Sequence, residues 1–340
     1  MSNKFRIYIL LGLGLLLLSL VAGIFIGSVY IEPLSAVKML LSKIPYLKES
    51  ISVTWEGNIE DILMKVRIPR VLLALIVGAS LSVSGAVFQS LLRNPLADPY
   101  LLGVSSGAAL GATIVILTSL PFFFFGVPIV PLSAFAGALL SMFLVYGLAK
   151  TKGKLPMHTL LLSGVIINFS FSAVIMLLIT LSNKGLSEVI VWMMGTLNNT
   201  NYELLPYVAP VALVLMAVIY MFSNDLNVIA VGEESAVYLG VKTENVKKWL
   251  FILNSLLTAL AVSVSGLIGF VGLIIPHIAR MIVGPDHRIL IPFSAICGGI
   301  FLVLSDTLCR SIISPAEIPT GVVTAILGGP FFLYLLKRKK

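Results

Sequence analysis

The sequence predicts an all-α polytopic membrane protein of about ten transmembrane helices, and three observations lead there. Of 340 residues, 58% are hydrophobic and only 11% are charged, with a mean hydropathy of +1.06. Soluble domains carry about 25% charged residues. Ten apolar segments are long enough to span a bilayer or nearly so, at approximately 7–30, 71–91, 101–119, 129–148, 159–181, 204–222, 249–266, 270–284, 289–309 and 320–336. Lysine and arginine gather in alternate connections between them, as the positive-inside rule requires.

Taken in order, the first segment follows Lys4 and Arg6, which resembles a signal peptide's basic start. Its apolar run is about twice a signal core and no clear small-x-small cleavage site follows, so it is expected to remain as a span. The stretch 31–66, with Pro33, Pro45 and Trp55, is expected to form a folded cap on the outer side. In the second span Gly78, Ser82 and Gly85 lie near one face and allow close helix approach. Its Ser82-Val83-Ser84-Gly85 recurs as Ser263-Val264-Ser265-Gly266 in the seventh span, each followed by a proline-containing break, RNPLADP in one and GLIIPH in the other. By the span count these two copies point oppositely, which suggests two inverted-topology repeats, about 71–181 and 249–336, within a single domain 1–340. The eighth span, interrupted by Pro276, His277 and Arg280, is the shortest.

An even number of spans places both termini on one side, and most basic residues fall on that side, including Lys4, Arg6, Lys150, Lys152, Lys154 and the KRKK tail. The formal charge of +8 therefore reflects orientation toward an anionic lipid leaflet and not a nucleic-acid partner. The connection 223–248 then faces the cytoplasm. It holds Asp225, Glu233, Glu234, Glu244, Lys242, Lys247 and Lys248, which cannot lie in lipid at about 2.5–3.5 kcal/mol each. Apolar residues keep near-helical spacing on both sides of Gly232 and Gly240, the pattern of two short amphipathic helices. Composition leaves two readings of this stretch, a solvated loop or a docking surface for a soluble partner.

Catalytic chemistry is poorly represented. No GxxxxGK[ST] loop, HExxH motif or serine–histidine–aspartate set occurs, so an enzyme is not expected and ATP is not bound by a P-loop of this chain. Cys297 and Cys309 sit in apolar surroundings without metal-ligand spacing, and no metal or cofactor is expected. His277 is assigned a structural role. Asp306 is the one secure acid within a span, and Arg310 at i+4 stands ready to neutralise it near the outer end, which argues against ion coupling. Energy must then come from outside the chain.

Several long motifs carry a specific resemblance: RIPRVLLALIVGASLSVSGAVFQSLLRNPLADPYLLGVSSGAALGA (67–112), VWMMG (191–195), GEESAVYLGV (232–241), GFVGLIIPHIARMIVGPDHRILIP (269–292) and AEIPTGVVTAILGGPFF (316–332). On these the chain resembles, essentially end to end, the permease subunit of the FecCD/BtuC family of type II ABC importers for iron–siderophore, haem and cobalamin. The resemblance implies a ten-span permease working as a homodimer, with two cytoplasmic ATPase subunits and an extracytoplasmic substrate-binding protein. It resolves the loop in favour of docking, with Gly232, Glu233, Ala236, Leu239 and Gly240 matching the family's coupling helices. Glu234 falls outside that pattern.

The resemblance also implies that Arg67, Arg70 and Arg310 meet acidic residues of the binding protein on the outer face. As exposed pairs these would set orientation and association rate more than affinity. Asn94, Pro95 and Leu96 match an inner constriction, and Met157 and His158 a second one, where His158 replaces a small hydroxyl residue. The expected function is ATP-driven inward translocation of a bulky metal chelate across the cytoplasmic membrane. The ADPYLLGVSSGA wording leans to cobalamin or haem. The alternative is a secondary transporter or channel working without ATPase subunits.

Overall fold

Ten apolar helices of at least 13 residues run through the computed structural model, which describes residues 3–338 apart from 44, 45, 47–51, 54, 119–122, 125, 126, 152, 183, 199 and 200. In chain order the elements are α1 (Asn3–Phe25), α2 (Pro33–Leu41), α3 (Gly57–Asp61), α4 (Ile68–Leu91), α5 (Val104–Thr118), α6 (Ile129–Ala149), α7 (Met157–Leu181) and α8 (Leu186–Met193). They continue as α9 (Leu205–Met221), α10 (Ser223–Val231), α11 (Glu233–Tyr238), α12 (Thr243–Ser265), α13 (Val271–Val283), α14 (His287–Ser311) and α15 (Thr320–Arg338). Strands β1 (Phe123–Phe124) and β2 (Val127–Pro128) pair antiparallel between α5 and α6. Pro45, Lys152 and the terminal Lys339 and Lys340, on which parts of the sequence reading rest, lie outside the described residues.

Six helices are long and apolar enough to cross a membrane outright, and α5, α13 and α15 are shorter apolar ones. α9 completes the set, bent by 49° from the short α10 that follows it. Each predicted span therefore has a helix. The outer faces of α1 and α7 expose Leu10, Leu17, Leu18, Phe169, Met176 and Leu181, all more than 60% accessible. A belt of that kind on a monomer in water would drive aggregation; in lipid it costs nothing.

Every residue from Val77 to Leu91 is buried, so α4 is the central column, packed most extensively on α14 and also on α12 and α13. What permits this is the absence of side chains at the crossings. A Cβ on Gly78 would lie 2.3 Å from the carbonyl oxygen of Gly298, and one on Gly298 would lie 2.4 Å from that of Gly78. A Cβ on Gly85 would stand 1.8 Å from the Gly272 oxygen. Pro276, four residues on, has no N–H to give to that oxygen, so the carbonyl is free to face α4. Gln89 completes the contact, its Nε2 donating to Leu273 O at 2.9 Å. The eighth span is therefore one helix despite its proline. No break occurs at GLIIPH itself; the helices part at Gly266–Phe270, between the spans expected at 249–266 and 270–284, where Gly266 (φ 66°) and Phe270 (φ 68°) leave helical backbone.

The two SVSG copies occupy different local positions: Ser82–Gly85 lies within α4, whereas Ser263–Gly266 ends α12. The segment before α4 is folded, as expected of a cap. Ile31, Ala36, Met39 and Leu63 form a small core joined by Trp55, and Trp55 Nε1 donates to Glu60 at 2.8 Å. A π-helical stretch, Ile62–Arg67, joins α3 to α4.

The crossings make a sharp contrast testable. Gly78→Ala should lower stability by about 1–3 kcal/mol through overpacking, whereas Gly14→Ala on α1, with nothing within 4 Å of its Cβ position, should leave it unchanged. Thermal unfolding of the two variants in the same detergent would show it; equal melting temperatures would refute the close crossing.

Candidate functional site

Two polar regions stand at opposite ends of α4. At one end lie α10 and α11. The C-terminal residue of α11 leaves the helix through a glycine cap: Gly240 (φ 84°) donates to Val237 O at 2.9 Å and Val241 donates to Ala236 O at 3.0 Å. Ala236 is fully buried against α12 and its neighbours, which fixes the face α11 turns inward. The opposite face shows Val231, Val237, Tyr238 and Leu239, with Leu239 71% and Tyr238 91% accessible. Gly232, with φ 169° in extended backbone, hinges α10 to α11. The five residues assigned to coupling thus lie on or beside α11, with Ala236 packed inward and Leu239 turned outward.

Ion pairs fasten this surface to the membrane helices. Lys247 on α12 is 3% exposed and donates to Glu233 at 2.7 Å and Glu244 at 2.9 Å. The other oxygen of Glu244 accepts from the Leu155 N–H at 2.7 Å. That bond reaches the residues immediately before Met157 and His158, so the second predicted constriction is tied to α11 through one lysine and one glutamate. Met157 packs partly into the core, while His158 is exposed. Asn94, Pro95 and Leu96 form the turn after α4, where Asn94 Oδ1 accepts from Leu96 N at 2.9 Å and Leu96 is 38% accessible.

Just before that turn, α4 ends in the same cap geometry as α11. Arg93 donates to Ser90 O at 3.2 Å and Asn94 to Gln89 O at 3.0 Å. Here, though, the left-handed position (φ 46°) is held by Arg93 and not by glycine, at a cost of about 1 kcal/mol. Arg93 Nη2 donates to Ile229 O at 3.1 Å in the last turn of α10, where helix carbonyls lack partners.

A hydrogen-bonded relay runs beside it. Arg280 donates to Ser90 Oγ at 3.3 Å, and Ser90 bonds to His287 Nε2. Asn227 Oδ1 on α10 accepts from the His287 backbone N–H at 2.8 Å and pairs with its ring Nδ1 at 2.7 Å. The Asn227 carbonyl oxygen, which can only accept, takes a ring proton from Nδ1, while the Ser90 hydroxyl lies between Nε2 and the Ala86 carbonyl at 3.0 Å. Asn227 Nδ2 in turn donates to Asp286 at 2.7 Å. The Arg288 guanidinium, clamped on both Asp286 oxygens, holds that carboxyl well below the usual carboxylate range. Its contribution is therefore present above about pH 4 and is lost only as pH falls toward the depressed folded value. The relay joins α13, α4, α14 and α10. Sequence reasoning quoted Ser90, Arg280, Asp286 and His287 within motifs but did not connect them with one another or with Asn227, which is 60 residues from His287.

At the other end of α4 the structure changes the picture of the arginines. Arg67, Arg70 and Arg310 are 3%, 2% and 4% accessible, so they are not exposed side chains of the outer face. Arg70 is bidentate on Asp306, with Nε and Nη2 at about 3 Å, and also reaches Glu317 at 2.8 Å. Arg310 pairs with Asp306 at 3.2 Å, as the i+4 spacing predicts, but Asp306 is 1% exposed and does not reach an interface. Arg67 donates to Ile24 O at 3.1 Å and Val29 O at 2.7 Å, and Arg310 to Gly23 O at 2.9 Å. Both guanidiniums thus satisfy carbonyls at the C-terminal end of α1, where a cation also meets the helix dipole favourably. Asp306 and Glu317 lie 236 and 247 residues from Arg70, beyond what local spacing can disclose.

Because Asp306 neutralises buried cations, Asp306→Asn should cost about 3–5 kcal/mol, while pairing it with Arg70→Gln should restore a substantial part. Melting temperatures of the single and double variants would decide. A single variant as stable as the native protein would show the cluster is not what holds α4 to α14.

A bundle of ten apolar helices with a lipid-facing belt is the build of a polytopic membrane protein. Comparison with known proteins carries this further. The FecCD transport family model matches residues 15–338, and the chain belongs to that family. It is 45% identical to the cobalamin import system permease protein BtuC of Halobacterium salinarum over 277 residues, covering 81% of this chain and 73% of that protein. It is 39% identical to the hemin transport system permease protein HmuU of Yersinia pestis, covering 86% and 90%. A solved structure described as an inward-facing conformation of a metal-chelate type ABC transporter superposes with a TM-score of 0.81 at 30% identity, covering 98% of this chain and 99% of that one.

Proposed function

We propose that this chain is the translocation subunit of an ABC importer that moves a bulky metal chelate inward across the cytoplasmic membrane. The chelate belongs to the class of cobalamin, haem or iron–siderophore, and an extracytoplasmic binding protein delivers it. Two copies form the pathway, and two ATPase subunits dock on the α10–α11 face. The observation that carries the reading is that face itself: an exposed apolar surface of Val237, Tyr238 and Leu239, rigidly backed by Ala236 and the Glu233–Lys247–Glu244 ion pairs. Solvent alone gives no reason to expose three large side chains on a capped six-residue helix. The family and the relatives named above support the substrate class. Both termini then lie in the cytoplasm, with α10–α11.

At the outer end the arginine cluster serves docking from beneath the surface. Arg67, Arg70 and Arg310 outnumber Asp306 and Glu317, so the cluster is net positive, and Glu317 at 22% exposure is its solvent contact. Such a field attracts acidic side chains of a binding protein and raises association rates, most strongly at low salt. Asn94, Pro95, Leu96, Met157 and His158 form the inner constrictions, placed next to the elements that ATPase closure would move.

Leu239→Asp, or one residue inserted after Gly240, should cut ATP-driven uptake in reconstituted vesicles at least about tenfold while the dimer stays folded. Full uptake and full substrate-stimulated hydrolysis in both variants would refute the docking assignment. Uptake that stops when the proton gradient alone is collapsed, with ATP constant, would instead favour a secondary transporter.

A further inference from the structure

A cavity of about 440 Å³ opens among the end of α4, α10, α13 and the start of α14, and apart from Pro95 at its edge none of its lining residues is assigned to the pathway. Its polar wall is Gln89, Ser90, Arg93, His277, Arg280 and His287. No carboxylate lines it. Among the described residues neither Arg93 nor Arg280 has a carboxylate oxygen within 4.0 Å, unlike Arg70, Arg288 and Arg310. Asp286, close by in the chain, is already occupied by Arg288 and Asn227. Two guanidiniums therefore share one concave site, and each spends only a part of its five donors, on Ile229 O and Ser90 Oγ.

The site is built and not incidental. Arg93 is held over it at a left-handed cap position that glycine would occupy more cheaply. Gln89 is 1% exposed and its Oε1 accepts no hydrogen bond, so a buried acceptor as well as donors line the space. The remaining wall, with Pro95, Ala230, Met281 and Pro285, is apolar, and Met281 is 60% exposed at the edge. Paired arginines with additional donors match the oxygens of a phosphate group, an apolar rim suits a diester with an attached chain, and Gln89 Oε1 suits a hydroxyl on it.

We propose that this cavity is a binding site for a phosphate-bearing anion, either a lipid headgroup or a free phosphate, held by Arg93 and Arg280 beside α10. Because Arg93 also holds the end of α10, the occupant would stiffen the α10–α11 face, making the cavity a control point beside the inner constriction.

The test uses the purified full chain in phosphatidylcholine nanodiscs and reads thermal stability, which needs no transport, so its outcome is independent of the importer reading. In one arm inorganic phosphate is titrated; in the other, phosphatidylglycerol replaces phosphatidylcholine in steps without phosphate. Saturable stabilisation is expected in at least one arm, weakened at least about tenfold in Arg93→Gln/Arg280→Gln. The charge-matched pair Lys150→Gln/Lys248→Gln, outside the cavity, should respond like the native chain. Ala230→Phe keeps both arginines and fills the space, so it should weaken the response as well, even should the double variant fold poorly. A response to phosphatidylglycerol alone assigns a lipid headgroup, and one to phosphate alone a free anion. No saturable response in either arm, or an undiminished one in Ala230→Phe, overturns the proposal.

Discussion

Helix α4 can be buried along its length only because backbone touches backbone at Gly78–Gly298 and Gly85–Gly272, and the rest of the bundle depends on those two contacts. Lipid tails are as apolar as leucine, so helices in a membrane gain little from merely hiding hydrophobic surface from water. Close approach raises dispersion contacts and lets carbonyls face neighbours, but it demands that one helix give up side chains. Pro276 strengthens the second contact, since the oxygen it leaves without a backbone donor points where α4 has no Cβ. A proline that looks like an interruption of α13 is thus part of how α13 packs.

The same distinction explains what could be read from the sequence. Span number and order follow from apolar length, which is local, and each predicted span has its helix. The two short helices at Gly232 and Gly240 were equally legible, because a glycine cap and an amphipathic face are encoded within ten residues. The boundary between α12 and α13 was legible too, since the spans read at 249–266 and 270–284 part where Gly266 and Phe270 leave helical backbone. The interruption expected at Pro276 does not occur, because Gln89 of α4 reaches the carbonyls of Gly272 and Leu273 beside it. The arginines were misjudged for a related reason. A basic residue at the edge of a span looks exposed until the carboxylates of Asp306 and Glu317 and the last carbonyls of α1 are placed around it. Of the candidate sites, the short helices α10 and α11 were legible and the ion pairs that fasten them were not.

Those fastenings matter because they decide what a push on α11 can reach. Leu239 and Tyr238 offer a surface, but a surface on a loose loop would absorb motion. Glu233 is held by a lysine that has almost no contact with solvent, and the same lysine holds Glu244, which grips the backbone before α7. A displacement of α11 therefore acts on α12 and on the Leu155–Met157 segment together. On the other side, Asn227 binds His287 and Asp286, so α10 moves with the start of α14.

The two routes converge on α4. Its C-terminal end carries Arg93, which holds α10, and Ser90, which is bonded to His287; its N-terminal end carries Arg70, which holds Asp306 on α14 and Glu317 beyond it. Between them every residue from Val77 to Leu91 is enclosed, and the glycine crossings leave no slack for α4 to bend independently of α13 and α14. Tightly packed elements shift between discrete arrangements and do not deform smoothly. A rigid column with a cationic anchor at each end and close neighbours throughout is suited to carry a displacement of α10 and α11 along its length as one body. Alternating access then requires relative motion elsewhere, and the irregular backbone at Gly266–Phe270, where α12 hands over to α13, is the place in the bundle where helical continuity has already been given up.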